Sequence, residues 1–390
     1  MNDFHVRPLL PQELDAAAAL VARCFAPEDA ARAAALEQHW RNQRTQQPGF
    51  AWDDLRVGLH HGELVALARV ERREMLFGRA LLRVGILRDV CTDPQARHQG
   101  YSAAIMRDAL TMLREQGTHL ALLRDADGHY GRYGFVPVMP DYALRFAVAD
   151  ARRLKKAPPL HLAQPEDLPV LGELYARHWH SRPTLRRSPE LWRWRQLRHP
   201  HALHIFEEGS RLTGYLWCDP LHPEHVEALA DTPLATRALL RFAAEEAMDA
   251  YVEWLLPPDD ALVAEARALL PVRLSAQYYP ASGWMARIID AERLTFSLLM
   301  EGIASSIPGT RAANDLFSVQ VHPDRVEIAL RLEGAAEACS FSYREFIQVV
   351  FGMLRPEMMP QAAQLSHAAR HLLGMLFPAR LAAFAAWDWE

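Results

Sequence analysis

The chain has 390 residues, half of them hydrophobic, and a formal net charge of −5 at pH 7. That length accommodates two or three domains with sizeable cores, and the lack of a basic stripe argues against nucleic acid as a partner. Cys24, Cys91, Cys218 and Cys339 lie far apart, with no Cys-x-x-Cys and no partnered histidine, so neither a metal site nor a disulfide framework is expected. No apolar run reaches the roughly 18 residues of a membrane helix, and the start lacks a charged-then-apolar leader. A cytoplasmic protein with no membrane partner is the expectation.

Val6-Arg7-Pro8-Leu9 reads as a short strand, and Pro11-Gln12-Glu13-Leu14 opens a helix that continues through an alanine-rich stretch to Phe25. A second helix is expected over 30–44. Two strands come next, 56–60 and 63–70, joined by a tight turn at His61-Gly62. Residues 81–91 form a central strand that Asp93-Pro94 ends, because proline cannot donate to a ladder. After Ser102, Ile105, Ala109 and Met112 share one helical stripe, with Gly117 closing the helix. A further buried strand covers 119–123, so the order is mixed α/β. Lys155-Lys156-Ala157-Pro158-Pro159 reads as a linker.

Gln164-Pro165-Glu166-Asp167-Leu168 echoes Pro11-Gln12-Glu13-Leu14, and the elements after it repeat the first pattern. A helix precedes strands at 203–207 and 211–218, and residues 226–229 precede a helix over 234–250. From Asp290 the pattern changes. Residues 324–332 alternate in places like a strand, and Ser342-Tyr343-Arg344-Glu345 fits a capped helix start ahead of Phe346, Val349, Val350 and Met353.

Two motifs carry chemistry. Arg97-His98-Gln99-Gly100-Tyr101-Ser102 lies between a strand and a helix. Read functionally, Gly100 allows close backbone approach, the helix-start amides face an anion, and Arg97 adds a permanent charge. Val90-Cys91-Thr92 then offers a strand edge to an extended, amide-bearing arm. Read plainly, the same residues are an ordinary strand-turn-helix. The second motif is His129-Tyr130-Gly131-Arg132-Tyr133-Gly134-Phe135, in which Tyr130 is placed to lend a phenol proton to a leaving thiolate. Tyr133 and Phe135 read as packed aromatics.

Together these motifs resemble the GNAT N-acetyltransferase superfamily over residues 1–150. The resemblance implies that Arg97 to Ser102 bind the diphosphate of acetyl-CoA, and that Tyr130 protonates the departing coenzyme A. Ser102 stands where glycine or alanine is usual. Over the whole chain the order resembles the enhanced intracellular survival family of bacterial acetyltransferases, with matches at Gly214-Tyr215-Leu216, Glu227-Ala228-Leu229-Ala230 and Trp284-Met285-Ala286-Arg287-Ile288-Ile289-Asp290. That implies tandem GNAT folds, intact over 1–150 and degenerate over 151–289, then a sterol-carrier-like α+β domain over 290–390. The 284–290 segment resembles the family's crossing into the third domain. The second copy has no glycine turn at Asp231-Thr232-Pro233-Leu234-Ala235 and is expected to bind no acetyl-CoA.

The resemblance further implies that the C-terminal carboxylate enters the first domain's site as the base; here the last residue is Glu390, where an aromatic residue is usual. Glu28, Asp29 and Trp40 fall where the family has an acidic, aromatic substrate mouth, although a solvated helix start and a core tryptophan fit them as well. The expected activity is acetyl transfer to a primary amine of a small molecule, aminoglycoside-like or polyamine, or of lysine, by a homo-oligomer such as a hexamer. A non-catalytic acetyl-CoA sensor and a lipid carrier acting through the third domain are the alternatives.

Overall fold

A computed structural model describes residues 3–78, 80–180, 182–218, 226–306, 317–332, 335–377, 381, 382 and 384. Strand β1 (Phe4–Pro8) leads into helices α1 (Leu14–Phe25) and α2 (Ala30–Gln43), then strands β2 (Leu55–His60), β3 (Glu63–Phe77) and β4 (Ala80–Thr92). Helix α3 (Tyr101–Glu115) and β5 (Leu120–Asp125) come next, and then β6 (Val136–Met139) and β7 (Asp141–Ala147). β3 runs past Val70, where the sequence reading ended it. Glu71-Arg72-Arg73-Glu74 pair across the sheet from Ile86 back to Arg83 and extend the hairpin.

The second pattern begins after α4 (Val148–Ala151). It comprises β8 (His161–Leu162), α5 (Leu168–Trp179), β9 (Thr184–Leu185), α6 (Pro189–Arg198), β10 (Leu203–Glu208), β11 (Arg211–Cys218), β12 (Val226–Ala230), α7 (Pro233–Glu246), β13 (Tyr251–Trp254), α8 (Ala261–Leu269), β14 (Val272–Gln277) and β15 (Gly283–Ile288). α7 stops at Glu246 rather than at 250, because Ala247 turns extended and Tyr251 enters a strand. The last part holds α9 (Ala291–Ser306), an antiparallel meander of β16 (Phe317–Val321), β17 (Arg325–Leu332) and β18 (Ala335–Ser342), then α10 (Tyr343–Val350) and α11 (His367–Leu376). Ser342 caps α10 with Glu345 in a capping box, as the sequence suggests.

The fold is mixed α/β, and two strands are exchanged between its sheets. β15 lies between β5 and β6 in the first sheet, so residues 283–288 complete that sheet rather than merely crossing beyond it. β7 in turn is the middle strand of a separate sheet, flanked by β13 and β14.

Helix α3 covers one face of the first sheet, where Met106, Ala109, Leu110 and Leu113 pack on Val70, Leu87, Leu123 and Met285. On the opposite face, Val84, Ile86, Leu122 and Trp284 share one core with Ile328 and Phe341 of the meander and with Phe346 of α10. Helices α1 and α2 cover Val57, Leu67 and Cys91. Among the described residues no helix is long and apolar enough to cross a membrane, and no group of three metal-ligating side chains is gathered.

Candidate active site

The site begins with an irregularity in β4. Two residues there, Asp89 and Val90, oppose only Ala68 of β3, and Asp89 takes a left-handed backbone with φ 53°. This is a β-bulge, a device that bends a strand and re-aims the residues beyond it. β4 pairs in parallel with β5 only from Val84 to Ile86, against Leu120 to Leu122. Beyond that point the two strands run on unpaired with each other, β4 to Thr92 and β5 to Asp125. The gap exposes strand backbone at Val90, Cys91 and Thr92.

The Arg97–Ser102 turn stands at that end of β4. Arg97 is extended, while His98 (φ 65°) and Gly100 (φ 83°) are left-handed, a backbone sequence from which anion-binding hollows are built. Gly100 caps α3 without a side chain, and the first bond into the helix is Ala104 N–H to the Gly100 carbonyl, so the earlier amides point outward. A Cβ at Gly100 would meet no protein atom within 4 Å. Arg97, His98 and Gln99 are exposed and Ser102 is partly so. The arrangement fits an anion at a helix N-terminus.

The side chains of Tyr101 and Cys91 belong elsewhere. Tyr101 is buried, stacked on Phe4 at 4.2 Å and bonded to Gln99 at 2.8 Å. Cys91 points under α1 and bonds the thiol of Cys24; that contact and burial push its thiol well up. Both residues can serve a ligand through backbone alone. A valine at Gly100 would be strained by the left-handed backbone and would point into the hollow. Gly100→Val is therefore expected to weaken acetyl-CoA binding at least about tenfold in a folded protein, measured by calorimetry; unchanged affinity would dissociate the turn from the cofactor.

Tyr130 opens a short 3-10 turn ending at Tyr133. The buried Asp125, last residue of β5, organises it. One carboxylate oxygen accepts from Asp127 N–H (2.9 Å) and Gly128 N–H (3.0 Å), and the other accepts from Tyr130 N–H at 3.0 Å. Tyr130 packs against the core that also holds Val90, Leu123 and Phe135. Burial, then the Asp125 charge, pushes its phenol far up, so it holds its proton at any working pH. The structure thus brings Tyr130 and Val90 to one core at the mouth of the gap.

The opposite face of the sheet carries a charge network that sequence reasoning missed. Glu71 accepts from Arg88 at 2.8 Å, Arg73 at 2.9 Å and Gln47 at 2.7 Å. Burial alone would raise the Glu71 carboxyl, but Arg88, Arg73 and Arg69 outweigh it and hold it far below the usual carboxylate range. It is too weak a base to take a proton from an amine. Asp89 accepts from Arg69 (2.7 Å) and from the Trp40 indole (3.0 Å) on one oxygen.

That bond agrees with the core-tryptophan reading of Trp40 that the sequence left open. It is fully buried and holds the bulge residue Asp89, so it positions β4. Asp29 caps α2 through Arg32 N–H at 2.9 Å, and Glu28 is exposed beside it. Neither is joined to Trp40. Glu390 and residues 385–389 lie outside the described residues. A cavity of about 750 Å³ between β3, β4 and the segment 186–191 meets β4 at Arg83 and Val84, before the strands part.

Among the described residues of the second pattern, the corresponding helix start is closed by side chains. At the start of α7, Thr232 caps Ala235 N–H at 3.1 Å with its side chain, and the Glu208 carboxylate bonds the same hydroxyl. Asp231 stands beside it, paired with Arg177 at 2.8 Å. The chain's own acids occupy the place that α3 leaves open, and they would repel an added diphosphate. One acetyl-CoA per chain is the expected titration endpoint; two would refute it.

A family model described as acetyltransferase (GNAT) domain matches residues 5–138. The chain carries a GNAT acetyltransferase domain. No curated protein matches it. Solved structures similar along nearly the whole chain include a GCN5-related N-acetyltransferase from Anabaena variabilis (14% identity, 98% of this chain and 99% of that one, TM-score 0.66) and another from Kribbella flavida (16%, 98% of each, 0.66). Eis1 from Mycobacterium abscessus is also similar (16%, 98% and 99%, 0.61). At these identities the likeness is one of fold, and it spans the GNAT domain and everything after it.

Proposed function

We propose that the protein transfers acetyl from acetyl-CoA to a primary amine, on a small molecule such as an aminoglycoside or polyamine or on a lysine side chain. The observation that carries this is the gap between β4 and β5, with the α3 amides and Arg97 at one side of it and Tyr130 at the other. Acetyl-CoA supplies the activated acyl group. The amides of Gly100 to Ser102 and the Arg97 guanidinium hold its diphosphate, and the backbone of Val90 to Thr92 lines its arm. A strand amide at Val90 polarises the thioester carbonyl. Tyr130 gives its proton to the departing sulfur.

An amine attacks only when neutral, so a base must take its proton. Glu71 is disqualified by its arginines. The terminal carboxylate of Glu390 is the base in this reading, with the Glu390 side chain as the other acceptor. Phe384 supports it: buried, it rests on Trp284 at 4.7 Å, on the sheet face away from α3. Trp284 comes directly after Gly283, the pairing partner of the Asp125 that anchors Tyr130. The six residues after Phe384 can span up to about 20 Å from that anchor.

A homo-oligomer is part of the same reading. The decisive experiment is a screen of amines with acetyl-CoA that detects free thiol. Saturable turnover with an amine supports transfer; acetyl-CoA binding without turnover on any amine class would leave a sensor.

A further inference from the structure

A second cavity, of about 680 Å³, lies where the edge of the first sheet meets α10. β15 runs past its neighbour there: its pairing with β6 ends at Ala286, while the strand continues to Ile288. Arg287 on that overhang, Arg114 in the last turn of α3 and Arg344 in the first turn of α10 all line the cavity. None of the three is ion-paired with a described carboxylate. Arg287 is half-buried, and its guanidinium donates to the Tyr133 carbonyl. Burial and then the nearness of Arg114 disfavour its charge, so the two cations crowd each other.

The acids at the mouth do not offset them. Asp290 is paired with Arg293 at 3.1 Å and caps α9 through Arg293 N–H, Asp324 behind Tyr343 is paired with Arg325 at 3.3 Å, and Glu292 is exposed. The remaining wall includes Val136, Ile288 and Ile347. Several convergent cations over an apolar wall, in a volume typical of small-molecule pockets, ask for an anion with an apolar body. Planar guanidiniums favour a carboxylate, which they grip through paired hydrogen bonds.

We propose that this cavity binds a small amphipathic carboxylate, its head held by Arg114, Arg287 and Arg344 and its body on Val136, Ile288 and Ile347. A head group that draws Arg287 from the Tyr133 carbonyl would also loosen the far end of the turn that Tyr130 opens. The test is calorimetry on the full-length protein saturated with acetyl-CoA, using hexanoate and, as the uncharged control, hexanamide. One hexanoate per chain is expected, with hexanamide at least about tenfold weaker. Replacing Arg114→Gln and Arg344→Gln together, both exposed positions, is expected to weaken hexanoate at least about tenfold with the melting temperature unchanged. No saturable hexanoate binding, equal affinity for the amide, or parent-like affinity in the double variant would each overturn the proposal. The readout is binding alone, so it stands or falls apart from acetyl transfer.

Discussion

Tyr130→Phe is expected to lower kcat by about 10²–10⁴-fold and to leave acetyl-CoA affinity nearly unchanged. The substitution removes one oxygen. The ring stays in the core with Val90 and Phe135, and the turn is fixed by the Asp125 carboxylate through backbone N–H groups, including that of residue 130 itself. The loss therefore falls on the proton given to sulfur and not on binding. Comparing kcat in the two proteins, with acetyl-CoA affinity measured in parallel, separates the cases. An unaltered kcat would make Tyr130 a packing residue.

Adding a few glycines after Glu390, or deleting Trp389 and Glu390, is expected to cost a similar 10²–10⁴-fold in turnover, again without loss of acetyl-CoA binding. Both changes move or remove the terminal carboxylate. The anchor is upstream, where Ala382 and Phe384 are buried and Phe384 contacts Trp284 and Phe351. Neither variant touches that anchor, so a melting curve like the parent's is part of the expectation. Full activity in the extended protein would place the base elsewhere and return attention to Glu28 and Asp29.

The strand-turn-helix at Arg97 to Ser102 was legible because its signals are local: a glycine with positive φ, a strand before it and an apolar helical stripe after it. Tyr130 was legible from its spacing to Gly134 and Phe135. The bulge at Asp89 was not. Its cause is two residues opposing one across β3, and the pairing partner is about twenty residues away. The same holds for Trp40, whose bond to Asp89 bridges 49 residues, and for Cys24 and Cys91. The network around Glu71 escapes the sequence for a related reason. Charges in a row read as solvated surface, and only the fold shows that Glu71 is enclosed by arginines from neighbouring positions of the hairpin. Periodicity reports which face a residue belongs to, and it is silent on what the other elements bring to that face.

The exchanged strands set a timetable for synthesis. Asp125 waits for Gly283, 158 residues downstream, before β5 gains its second neighbour. At ribosomal speeds that gap lasts roughly 10–30 s. Through that interval β5 presents an open edge of buried-type residues, Leu120 to Leu123, of the kind that templates mispairing. A nascent chain stalled, or cut, anywhere between the two strands would carry every residue of the Arg97–Ser102 turn and still lack a finished sheet to hold it. Completion of the first sheet is thereby tied to synthesis of the middle of the chain, and fragments left by interrupted translation are expected to be ready substrates for proteolysis.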